Sequence, residues 1–76
     1  MMNTNAVISQ EIATFVSEQR KSIFEAMKEV NNSLGERLEQ LRAIGIRPVV
    51  SSISHSSGQD GFNGYYASLV AVIDLH

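Results

Sequence analysis

Apolar residues recur at steps of three and four along the first half of the chain, which is the spacing of one face of a helix. Charged residues occupy many of the intervening positions, as on the solvent side of such a helix. The pattern predicts a helical N-terminal half, either as one long helix or as two helices over about 5–31 and 34–44. The apolar stripe consists of Ile8, Ile12, Phe15, Val16, Ile23, Met27, Val30, Leu34, Leu38, Leu41 and Ile44.

Whether this half is broken near residues 31–35 depends on two opposing signals. Ser33 and Glu36 have the spacing of a capping box, and the preceding asparagines tolerate the geometry that ends a helix, which favours a break. The apolar phase nevertheless continues from Met27 to Leu41, and the glycine at position 35 costs a helix only about 1 kcal/mol. One unbroken helix of the whole half would be ~60 Å long and would need a partner to cover it.

The residue types change after position 44. Gly45 has the position of a C-terminal glycine, and Pro48 prevents the helix from continuing. Two segments rich in Val, Ile and Tyr follow, over about 46–55 and 65–75, and the glycine-rich stretch 57–64 between them predicts a long hairpin loop. The sequence therefore predicts a single α+β domain over residues 1–76, with a helical half followed by an antiparallel β-hairpin.

The hairpin register follows from matching like residues across the strands. A long loop pairs Val49 with Val72 and Arg47 with Asp74, whereas a tight turn at Asn63–Gly64 would set polar against apolar residues. The long-loop register predicts one face packed on the helices, made of Ile46, Pro48, Val50, Leu69, Ala71, Ile73 and Leu75. The other face carries Val49, Ile53, Val70 and Val72, flanked by Arg47, Asp74, His55 and Tyr66.

This second apolar face indicates that the chain works as an oligomer. A two-stranded hairpin is marginal alone, and Leu69–Ile73 is an uninterrupted apolar run typical of a strand covered on both sides. Two protomers are expected to pair their C-terminal strands edge to edge into a four-stranded sheet, while Pro48 protects the other edge. The predicted homodimer interface is Val49, Ile53, Val70 and Val72.

The amino-acid composition limits the kinds of site that the chain is expected to form. The 76 residues include no cysteine and two histidines, so neither disulfides nor a structural zinc site is expected, and we predict no cofactor or metal. The net charge of −2 is too balanced to indicate a nucleic-acid or membrane surface by itself. No basic leader with an apolar core and no long apolar segment is present, so a cytoplasmic protein without membrane contact is expected.

Candidate catalytic residues are few. His55 is the one histidine away from the C-terminus, with Asp60 or Tyr66 as conceivable partners, but a strand-end histidine bonded to water explains it as well. The glycines of the 57–64 loop precede a strand and match no phosphate-binding motif, so a simple loop is the better interpretation. The chain is therefore predicted not to be an enzyme.

The candidate partner surface combines the arginines on either side of Gly45 with the polar and aromatic residues around the loop: Arg42, Arg47, His55, Asp60, Phe62, Tyr65 and Tyr66. The resulting hypothesis is a non-enzymatic interaction or regulatory protein, a homodimer that binds another macromolecule, most simply a protein. Accessory or inhibitory proteins of mobile elements are often chains of this size. The alternatives are a dimeric nucleic-acid-binding protein that uses the arginines around Gly45, and a small ligand-binding protein or enzyme built around His55 and Tyr66.

Overall fold

The computed structural model describes residues 9–61 and 64–76, except for the side chain of Asp60. Its elements are β1 (Ser9–Val16), α1 (Ile23–Ala43), β2 (Pro48–Asp60) and β3 (Gly64–Leu75). The strands form one antiparallel sheet in the order β1-β3-β2, and the helix packs on one face of it. The α+β class is therefore confirmed.

The first predicted helical segment, over about 5–31, is wrong in its first part. Residues 9–16 form a strand, because each alternate side chain meets a different surface: Ala13 is buried under the helix, whereas Ile12 and Val16 are exposed on the other face. The spacing of Ile12, Phe15 and Val16 fits one helical face equally well, so pattern alone cannot separate the two. Residues 5–8 of that prediction lie outside the described residues.

The helix begins later than predicted and has no break near residues 31–35. Its N-cap is Ser22, whose side-chain oxygen accepts a hydrogen bond of 3.1 Å from the backbone N–H of Glu25. Ser33, the predicted cap, instead donates its hydroxyl to the carbonyl of Glu29, four residues back. The predicted second helix over 34–44 is the C-terminal part of the same 21-residue helix.

The predicted stop at Gly45 is confirmed. Gly45 has a φ of 90°, its N–H donates to the carbonyl of Arg42, and the N–H of Ile46 donates to that of Leu41. This pair of bonds satisfies carbonyls that the last helical turn leaves free, and the left-handed conformation it needs is one that glycine adopts without a steric penalty.

The hairpin differs from the prediction in loop length and register. Its strands continue into the predicted 57–64 loop until Asp60 pairs with Gly64, so the connection is short. Val49 lies opposite Asp74 rather than Val72, and Val72 lies opposite Ser52, with a bulge between Val50 and Ser52. Because side chains alternate along a strand, this extra residue reverses the faces of everything that follows it in β2.

The central position of β3 excludes the predicted edge-to-edge pairing of C-terminal strands. One edge of β3 is paired with β2 from Pro48 to Asp60, and the other with β1 from Ser9 to Val16. A second copy therefore cannot add to β3 while β1 occupies its place.

The hydrophobic core lies between β3 and the helix. On the sheet side, Ala67, Leu69, Ala71 and Ile73 have no exposed surface, which confirms the predicted helix-facing set in this strand. On the helix side, the buried residues recur at helical spacing: Ala26, Val30, Leu34 and Leu41. Leucine and isoleucine side chains buried in this way each stabilise the fold by about 1.5–3 kcal/mol.

Two glycine substitutions test this account of the helix. Gly45→Ala should destabilise the protein by about 1 kcal/mol, because an alanine must adopt the left-handed conformation. Gly35→Ala should stabilise it by about 0.5–1 kcal/mol, because position 35 is helical and an added methyl group meets no other atom within 4 Å. Urea unfolding at neutral pH measures both, and destabilisation by Gly35→Ala would contradict the unbroken helix.

Candidate interaction surface

The face of the sheet turned away from the helix, here called the outer face, is built from alternate residues of three strands. Residues paired directly across antiparallel strands share a face, so the exposed Val70 and the half-buried Val72 of β3 identify their neighbours. On β1 these are Ile12 and Thr14, followed by Val16 opposite Ser68. On β2 they are Ser52 and Ser54, with Val49 opposite Asp74.

An apolar patch occupies the β1 and β3 part of this face and continues to the beginning of β2. We define the outer patch as Ile12, Val16, Val49, Val70 and Val72. Ile12 is 72% exposed and Val16 is 65% exposed, so their side chains are open to solvent to a degree unusual for apolar residues on a strand. No element of the described chain covers the patch.

The structure changes the membership of the predicted dimer interface. Val49, Val70 and Val72 lie on the outer face as expected, but the bulge places Ile53 opposite Ala71, on the helix side of the sheet. Ile12 and Val16 are new members that the sequence did not reveal, because their segment was predicted to be helical. The alternation of these two residues with Ala13 and Phe15 is the signal that would have indicated a strand.

Polar groups form the rim of the outer patch. At one end the Gln10 Nε2 atom donates to the Asp74 carboxylate over 2.8 Å, and the Ser51 hydroxyl donates to the Val72 carbonyl. Ser56 of β2 and Ser68 of β3 share a hydrogen bond between their hydroxyl groups. These residues satisfy one another within the sheet, which leaves the apolar side chains as the groups without a packing partner.

Tyr66 lies at the hairpin end of the outer face. Its ring lies across the backbone of Gly58 on β2, so closely that a Cβ atom at that position would stand 2.7 Å from the Tyr66 hydroxyl oxygen. Position 58 therefore has to be glycine for the ring to stack there. The Tyr66 ring covers the backbone of Gly58, which has no side chain of its own to shield it from solvent.

Two arginine–glutamate pairs hold β1 and the following loop against α1. Arg37 forms a bidentate contact with Glu11, at 2.7 Å from Nε and 2.6 Å from Nη2. Arg20 pairs with Glu29, whose second oxygen accepts the backbone N–H of Glu18. Because β1 is an edge strand that meets the helix at few positions, these contacts help to hold Ile12 and Val16 in place.

The same pairs shift the acidity of their members. The hydrogen bonds from Arg37 lower the pKa of Glu11, and the carboxylate in turn raises the pKa of Arg37. The backbone N–H of Glu18, followed by the Arg20 guanidinium, lowers the pKa of Glu29, and Glu29 raises the pKa of Arg20. All four groups therefore favour their charged forms in the folded protein.

The candidate residues for catalysis are not brought together. His55 lies opposite Leu69 on the helix side, where its Nε2 atom is hydrogen bonded to the Asn31 Oδ1 atom at 2.8 Å. Tyr66 lies on the outer face opposite Gly58. The prediction that His55 belonged to the outer face with Tyr66 is therefore wrong, again because of the bulge. The backbone of Asp60 ends β2 opposite Gly64, and its side chain lies outside the described part of the chain.

The candidate arginines are divided in the same way. Arg42 pairs with Glu39 on the exposed side of the helix, at 2.7 Å. Arg37, the other helical arginine near Gly45, is bound to Glu11. Arg47 lies beyond the helix, where its backbone N–H donates to the carbonyl of His76. Two of the three arginines around Gly45 are therefore paired with glutamates.

The aromatic residues near the hairpin end do not form a single cluster either. Tyr65 is half-buried on the helix side and exchanges backbone hydrogen bonds with Arg20, which extends the sheet beyond β1. Tyr66 lies on the outer face. Phe62, the third member of the predicted group, lies outside the described residues.

Residues 9–61 and 64–76 contain neither a metal-binding cluster nor a membrane-spanning helix. No three histidine, aspartate or glutamate side chains in these ranges approach closely enough to hold a metal ion. The helix of the described chain is not apolar enough to cross a bilayer. A depression of about 710 Å³ runs along α1, but it is lined by residues of that helix alone and is open to solvent.

Comparison with known proteins adds no relative: no family model, no curated protein and no solved structure matches the chain.

The lowered pKa values predict acid sensitivity of the β1 attachment. Below the ordinary glutamate value of 4.5 the unfolded chain binds protons more readily than Glu11 and Glu29 do in the folded protein. The stabilisation is therefore complete above that pH and is lost as the pH falls through the lower folded values. Urea unfolding at neutral pH and near pH 3 should show a smaller pH-dependent loss for Glu29→Gln than for the wild type.

Glu39→Gln is the control for this experiment, because it removes a glutamate of the same helix that pairs only with the exposed Arg42. Its pH-dependent loss should equal that of the wild type. An unchanged loss in Glu29→Gln would mean that the Arg20–Glu29 contact does not stabilise the fold.

Proposed function

We propose that this chain is a non-enzymatic interaction protein that works as a homodimer, with the outer patch as its self-association surface. The observation that carries the proposal is the exposed apolar face of a sheet whose opposite face packs on the helix. A second copy is the simplest occupant, because a two-fold axis through the face sets the same apolar residues against each other. The described residues also bring together no set of catalytic side chains.

The size of the face decides what kind of dimer is expected. Three strands about 4.8 Å apart and eight paired rows of about 3.4 Å give a footprint on the order of 400 Å² per copy. Specific interfaces start near 1,000 Å² in total, counted as solvent-accessible area. The outer face alone therefore supports an association near the lower limit, and we expect the dimer to dissociate on dilution.

Charge distribution is consistent with self-association. The five residues of the outer patch are all uncharged, and Asp74 at the rim already accepts a hydrogen bond from Gln10. Two copies can therefore bring their patches together without burying a charge, because the Asp74 carboxylate stays at the rim; a buried unpaired charge is the most expensive defect of an interface. The serine-rich part of β2 then lies at the rim, where hydroxyl groups remain in contact with water.

Ile12→Lys tests the proposal with Ile44→Lys as a matched control. Ile12 is 72% exposed in the outer patch, and Ile44 is 73% exposed at the end of the helix, so both changes cost the monomer little. A two-fold interface loses two isoleucines of about 1.5–3 kcal/mol each, which raises the dimer dissociation constant roughly hundredfold or more. Light scattering after size-exclusion chromatography across a dilution series measures the effect.

Ile44→Lys should dimerise like the wild type. If Ile12→Lys leaves the concentration dependence of the mass unchanged, the outer patch is not the dimer interface. If the wild type is monomeric at every concentration, the homodimer itself is excluded.

A further inference from the structure

The free edge of β2 exposes a row of backbone groups that no strand of the described chain covers. The N–H of Ser17 donates to the carbonyl of Ala67, and Tyr65 exchanges two bonds with Arg20, so these β3 residues direct their backbone groups toward the β1 side. The intervening β3 residues, such as Tyr66 and Ser68, therefore bond to β2, because the direction alternates along a strand.

The β2 residues that pair with those intervening positions are Ser54, Ser56 and Gly58. Their neighbours must direct N–H and C=O groups away from the sheet, into solvent. We call this set the free β2 edge: Ile53, His55, Ser57 and Gln59. Unpaired backbone groups of this kind are a template for another strand.

The free β2 edge lacks the features that usually protect such an edge. Residues 51–59 contain no lysine, no other permanently charged residue and no proline. Pro48 and the bulge after Val50 protect only the beginning of the strand. β2 is also the longest strand, with 13 residues against 8 in β1, so the unprotected part is long enough to pair with another strand.

The helix leaves apolar surface uncovered on the same side of the molecule. The side chains of the free β2 edge face the helix side, yet Ile53 is 46% exposed, because one helix ~10 Å wide cannot cover three strands that span ~14 Å. The bond from His55 to Asn31 identifies the flank of α1 that overhangs β2. Phe24, two turns before Asn31 on that flank, is 75% exposed.

We propose that the free β2 edge pairs antiparallel with the same edge of a second copy of this chain, joining two sheets into one of six strands. A two-fold axis perpendicular to the sheet keeps both helices on one side, so the apolar residues Ile53 and Phe24 of each copy approach those of the other. Residues 51–59 carry no permanent charge that would repel its own copy. The edge is separate from the outer patch, so this association goes beyond the proposed dimer and does not require it.

Ser57→Pro tests the edge directly. The N–H that it removes belongs to the free β2 edge and does not bond β3, so the monomer should fold with little loss. Because each two-fold interface contains two copies of the change, we expect the dissociation constant of this association to rise at least tenfold, and the molar mass at a given concentration to fall accordingly. Ser57→Lys, which protects edges without altering the backbone, should have the same effect.

Ile44→Lys is the control for Ser57→Lys, because it adds the same residue at an exposed position that belongs to neither the free β2 edge nor the outer patch. It should leave the mass unchanged. An unchanged mass in both Ser57 variants, or an equal loss in Ile44→Lys, would overturn the proposal. Ile12→Lys reports separately on the outer patch, so failure of one interface is not mistaken for failure of the other.

Hydrogen exchange of individual amides gives a second readout. In an isolated sheet the amides of Ile53, His55, Ser57 and Gln59 exchange fast, while those of Ser54, Ser56 and Gly58 are protected by β3. Pairing through the edge should protect the first set as the protein concentration rises, and Ser57→Lys should abolish that protection. Fast exchange of the first set at every concentration would overturn the proposal, even if the wild type is a dimer.

Discussion

The whole structure depends on β3 being enclosed. Its two edges are bonded to β1 and β2, and one face is buried by the helix, so that Ala67, Leu69, Ala71 and Ile73 have no exposed surface. The alternation of alanine with larger residues lets the helix approach closely while the leucine and isoleucine fill the remaining space. The helix, β1 and β2 are each held mainly by their contacts with β3. The arginine–glutamate pairs also attach the edge strand β1 to the helix.

Enclosure on three sides accounts for the part of the fold that the sequence predicts well. The apolar run 69–73 indicated a buried strand, although the helix covers only one of the two faces that were expected to be covered, and Gly45 with Pro48 marked the end of the helix. The N-terminal strand could not be predicted in the same way. Ile12, Phe15 and Val16 satisfy both a helical and an alternating pattern, and pairing with residues 66 positions away, as in Ser9 with Leu75, decides between them.

Two small features account for the other errors. Ser22 with Glu25 and Ser33 with Glu36 have the same capping spacing, and only the interruption of the apolar stripe at residues 19–22 distinguishes the real helix start. In β2 a single bulged residue moved Ile53 and His55 to the helix side. Val49, Val70 and Val72 of the outer patch were therefore predictable from alternation, whereas Ile12 and Val16 were missed because their segment was assigned to a helix. Ile53 was wrongly included because no residue type announces the bulge.

The order of strands in the sheet has a consequence for how the chain folds. β1 and β2 are both antiparallel to β3 and do not touch each other, so neither can complete its hydrogen bonds until the strand made last is present. During synthesis, β1 must stay unpaired until about fifty further residues have emerged, although α1 can form locally much sooner. High contact order of this kind slows folding, and it leaves β1 and the serine-rich strand exposed to chaperones and to other nascent chains for longer than a helical protein of this length would be.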